Sequence, residues 1–173
     1  MAVGIWHRLD QTGRHLLPLG TTVLFMLVGM TPTQIPGLVQ VAPPLMLMAV
    51  VYWAVHRPDL LRPTLVFLLG VLNDLLGGAP LGMTALVFVL AYWLLLTQRR
   101  FFLGNSFLLL WIGFTMVALG AAAVQWAVYS LMAAELLTFR AAGFQVMLAT
   151  AVFPLAAWVL MRLHRAFLME EEG

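Results

Sequence analysis

An Asn73-Asp74 pair, followed at once by Gly77-Gly78-Ala79-Pro80, lies in a stretch that is otherwise nearly all hydrocarbon. A titratable side chain and a helix break coincide there. A carboxylate at the centre of a bilayer costs about 2.5–3.5 kcal/mol on insertion scales, so Asp74 needs compensation. Protonation, pairing with an arginine or hydrogen-bond donors, or contact with a water-filled cavity would each supply it. A helix that stops at Gly77-Gly78 turns its negative dipole end toward Asp74, which sharpens the need. Asn73 is the nearest donor in sequence but projects about 100° away around a helix, and Gln125 is a weaker candidate partner. The plainer reading is that Asp74 caps or pins the turn between two helices.

Little else resembles an active centre. His7, His15, His56 and His164 flank apolar runs, and none stands at the i, i+4 spacing of a zinc helix. No phosphate-cradling glycine loop or nucleophile elbow is present. The polar residues inside the apolar runs are Asn73, Asp74, Gln125, Gln145 and scattered Thr and Tyr, a set suited to hydrogen bonding rather than bond making. The chain has no cysteine, which excludes disulfides and thiolate chemistry. No metal, cofactor or catalytic residue is expected.

The elements that position these residues follow from composition. With 63% hydrophobic and 9% charged residues and a mean hydropathy of +0.99, the chain is an all-α integral membrane protein and not a soluble domain. Runs long enough to cross a core of about 30 Å predict six transmembrane helices, at 16–31, 36–55, 63–78, 81–98, 105–134 and 143–162, in a single membrane domain over 1–173. All nine basic residues are arginine. Arg8 and Arg14 precede the first run, Arg57 and Arg62 part the second from the third, Arg99 and Arg100 follow the fourth, and Arg162 and Arg165 follow the sixth. Six crossings put eight of the nine on one face and both termini in the cytoplasm, whereas five or seven would scatter them. Positive charge is therefore topogenic, and no nucleic-acid partner is implied.

Residues 1–15 carry charge without a convincing cleavage site behind the run that follows, so a retained first span is expected. Residues 5–17 have the pattern of a short interfacial helix with Trp6 at headgroup depth, or of a frayed end. Ala118 and Ala122, beside Gly120, have the spacing that lets helices approach closely, within the chain or in a homodimer. Trp126 and Tyr129 fit an interfacial belt. The loop from His56 to Pro63 is stiffened by Pro58 and Pro63, and its arginines suit lipid headgroups or a docking partner as well as topology. Glu170 to Glu172 read as a solvated tail.

Several of these elements form a recognisable series: Pro43-Pro44-Leu45, Tyr52-Trp53 before Arg57-Pro58, the run from Phe67 through Asn73-Asp74-Leu75-Leu76-Gly77-Gly78-Ala79-Pro80-Leu81-Gly82, and Arg99-Arg100. In order, length and span count the chain resembles the bacterial rod shape-determining MreD family. That resemblance implies a non-enzymatic inner-membrane scaffold of the cell-elongation machinery, supporting rod shape and sidewall peptidoglycan synthesis. Its implied partners are an MreC-like single-span protein and, directly or indirectly, a RodA-type glycosyltransferase with its transpeptidase and the MreB filament. The family is similar in fold to the substrate-binding subunits of energy-coupling-factor transporters, which have a pocket near the outer face. By the resemblance, Asp74, Gly78, Pro80 and Gly82 occupy the family's outer segment and Arg57 and Pro58 its inner loop.

Two functional readings follow. In one, lipid-exposed helix faces and small-residue patches dock partner helices. In the other, the chain is a transporter subunit whose outer-half pocket near Asp74, Gln125 and aromatic side chains holds a small solute or a lipid-linked precursor. An intramembrane enzyme would need a second acid or a histidine at similar depth, and the sequence offers neither.

Overall fold

The computed structural model describes residues 3–31, 43–103, 106–135 and 139–168, which form six helices without a strand among them. They are α1 (Val3–Met30), α2 (Leu45–His56), α3 (Pro63–Gly77), α4 (Met83–Leu103), α5 (Phe107–Ala133) and α6 (Arg140–Leu168). The link at 32–35, Pro36 and the Glu170–Glu172 tail lie outside the described residues. Residues 5–17, read as a short interfacial helix or a frayed end, belong to the continuous helix α1.

Helices α4, α5 and α6 are long and apolar enough to cross a membrane, whereas the apolar part of α1 (Leu16–Met30), α2 and α3 are shorter. At 1.5 Å per residue the 12 residues of α2 extend about 18 Å and the 15 of α3 about 22 Å, less than a hydrocarbon core of about 30 Å. Of the expected run 36–55, residues 36–42 lie outside the described residues, and the described part is helical from Leu45. Proline explains both ends. Pro44 takes the cap position of α2, and Arg57, which precedes Pro58, leaves helical geometry and ends it.

What α2 lacks in length it makes up in burial. Every residue from Met46 to Val55 is buried, Tyr52 and Trp53 included, so α2 is the central element around which α1, α4 and α6 pack. A helix apolar on all sides belongs in such a position. Polar clamps fix it. Trp53 Nε1 donates to Thr21 Oγ1 of α1 at 3.0 Å, and that hydroxyl donates to the Leu17 carbonyl at 2.8 Å. In the same last turn of the helix Arg99 Nε of α4 donates to the Val55 carbonyl at 2.8 Å, satisfying one of the orphaned C-terminal carbonyls.

Two further contacts join neighbours. Helix α3 lies so close to α4 that a Cβ on Gly70 would enter the backbone of Ala85. In α6, Pro154 has no N–H for the carbonyl of Thr150 four residues earlier, and Trp111 Nε1 of α5 donates to that carbonyl at 2.8 Å. A proline defect in one helix is thereby repaired by its neighbour.

Candidate functional site

Asp74 sits in the last turn of α3 and is 1% exposed. Its backbone carbonyl accepts the N–H groups of Gly78 and Ala79, closing the helix in a Schellman-type turn with Gly78 at φ 69°. Its carboxylate accepts the N–H of Gly82 at 2.9 Å and of Thr84 at 3.1 Å. Those are orphan donors at the start of α4, where the dipole is positive. Of the three forms of compensation expected for this acid, hydrogen-bond donors are present, and they come from backbone. Gln125, the weaker candidate partner, is not among the groups hydrogen-bonded to the Asp74 carboxylate. Gly82 reaches its place at φ 88°, a conformation that favours glycine. Pro80 carries the chain between the two, its carbonyl accepting the Met83 N–H.

Asn73, one residue before, faces elsewhere. It lines a partly open cavity of about 500 Å³ together with Gln125 of α5 and Gln145 of α6. The cavity is lined by residues of all six helices, from Phe25 and Gly29 of α1 and Leu45 of α2 to Thr84 of α4. Ala118 and Ala122 also line it, so the small-residue stripe leaves room there besides packing against neighbours. Gln145 went unselected among the candidate residues, although a signal existed: Gln125 and Gln145 lie equally far from Glu135, so an antiparallel hairpin sets them level.

Arg57 and Pro58 are at the opposite end of the bundle and do not join that site. Arg57 lies 3.4 Å from Asp59, an exposed pair of little energetic weight. The loop is held by Tyr92 of α4, whose hydroxyl donates to the Leu61 carbonyl at 2.6 Å and lies 3.1 Å from that of Pro58. Beside it His56 and His164 join Tyr52 and Trp53 in an aromatic cluster. His56 stacks on Tyr52 with ring centres 4.2 Å apart, and His164 stacks on Trp53 at 5.5 Å. His56 Nδ1 donates to the Tyr52 carbonyl at 2.9 Å, which fixes its tautomer because a carbonyl only accepts. Burial pushes the His56 imidazole below its ordinary value and the charge of Arg99 adds to this, against the bond to Tyr52.

The described residues therefore present two ends of different character: an arginine- and histidine-bearing end, and one with a cavity of neutral amides. Among them no three His, Asp or Glu side chains come together to hold a metal. A family model described as rod shape-determining protein MreD matches residues 11–168. No curated protein and no solved structure gives a match.

Proposed function

Because the chain belongs to the rod shape-determining MreD family, we propose that it is a non-enzymatic scaffold of the elongation machinery in the bacterial inner membrane. The family match over nearly the whole chain carries this reading and implies a role in rod shape determination. In it, all six helices cross the membrane, the short α2 and α3 included, with both termini cytoplasmic and the fold akin to energy-coupling-factor binding subunits. The arginine flanks support that orientation.

The described geometry is consistent with a scaffold. Asp74 is engaged in holding the α3–α4 turn, and large apolar side chains such as Leu68, Leu75, Leu90 and Trp93 point outward from α3 and α4. Helix association in lipid depends on packing and hydrogen bonds rather than on hydrophobic drive, so such faces suit partner helices. The proposed partner is an MreC-like single-span protein, with a RodA-type glycosyltransferase, its transpeptidase and MreB reached directly or through it. Purification of the tagged chain from its native cells in nanodiscs, with partners identified by mass spectrometry, tests the proposal. Recovery of the MreC-like protein and wall synthases is expected; recovery of coupling ATPases instead overturns it.

A further inference from the structure

The cavity at the arginine-poor end goes beyond the scaffold reading, since docking through outer helix faces makes no use of an internal space. Its volume of about 500 Å³ falls within the range of about 300–1,000 Å³ typical of small-molecule sites. Asn73, Gln125 and Gln145 bring three carboxamides to it from three helices, and Thr84 adds a hydroxyl. None of the three carboxamides is bonded to another described group, and among the described lining residues none carries a charge.

That chemistry selects. A charged ligand would be desolvated here without a counter-charge, at considerable cost. A purely apolar one would leave three amides unsatisfied. Each carboxamide offers donors and an acceptor side by side, which matches adjoining hydroxyls that also donate and accept. Phe25 and Phe88 contribute apolar walls to the same space.

We propose that this cavity binds an uncharged, hydroxyl-rich group of the sugar type, presented on a lipid or free in solution. Lipid-borne and free sugars share the recognised chemistry and are told apart by experiment.

The full chain is reconstituted in phosphatidylglycerol nanodiscs with and without monoglucosyldiacylglycerol, and bound molecules are counted by native mass spectrometry. Methyl glucoside is added in a parallel arm. The expected result is one retained glucolipid per chain, or saturable methyl glucoside binding where the source is soluble, weakened at least about tenfold in Gln125→Leu/Gln145→Leu. A second variant, Ala121→Phe, fills the space while keeping the amides and loses binding equally. Retention of phosphatidylglycerol and glucolipid alike, binding of neither sugar probe, or binding unchanged in both variants overturns the proposal. These outcomes concern the cavity alone and leave the partner test independent.

Discussion

The carboxylate of Asp74 accepts the backbone N–H of Thr84 at 3.1 Å, so the last turn of α3 is tied directly to the first turn of α4. One side chain thereby satisfies donors that would otherwise be orphaned, and a buried acid gains partners without any arginine. Asp74→Ala is expected to cost about 1–2 kcal/mol, measured as a fall in thermal midpoint in detergent, and Asp74→Asn, which keeps one acceptor oxygen, less. Equal midpoints for Asp74→Ala and the parent chain would show the cap to be idle.

Close approach at Gly70 makes a sharp contrast with Gly77. A methyl at Gly70 meets the backbone of Ala85, whereas one at Gly77 meets nothing within 4 Å. Gly70→Ala should therefore destabilise by about 1–3 kcal/mol through overpacking, and Gly77→Ala should change the midpoint little.

The contact between Trp111 and Thr150 predicts a compensating pair. Trp111→Phe leaves the Thr150 carbonyl without a donor and should cost about 1–3 kcal/mol. Pro154→Ala restores the helical N–H, so the indole bond loses its purpose and Trp111→Phe becomes milder in that background. A double-mutant cycle measures the coupling, and strict additivity would contradict the repair.

Stability should depend on pH through His56. Its folded value lies below the ordinary 6.5 because of burial, so the unfolded chain takes up the proton first. The stability it contributes is fully present above about 6.5 and is lost as pH falls through the lower folded value. Thermal midpoints across pH 5 to 8 should decline at the acid end, and less steeply in His56→Gln.

How far the sequence revealed this arrangement depends on which interaction governs each part. Long apolar runs made α4, α5 and α6 legible, because hydropathy sets their length. The start of α2 was obscured: hydropathy shows no break before Leu45, whereas Pro43 and Pro44 stand outside the helix, with Pro44 at its cap position. Asp74 was recognised as needing partners, but its donors are backbone groups eight and ten residues on, which no side-chain pattern announces. Asn73 and Gln125 were singled out individually, while their meeting with Gln145 required the packing of α3, α5 and α6. The braces from Tyr92 to loop carbonyls and from Arg99 to the end of α2 were invisible for the same reason.

The central claim is a scaffold role in rod shape, and depletion of this chain from its native cells tests it most directly. The account predicts that rods widen and become round within a few generations, and that the wild-type chain restores them. Cells that stay rod-shaped after the chain is gone would contradict it.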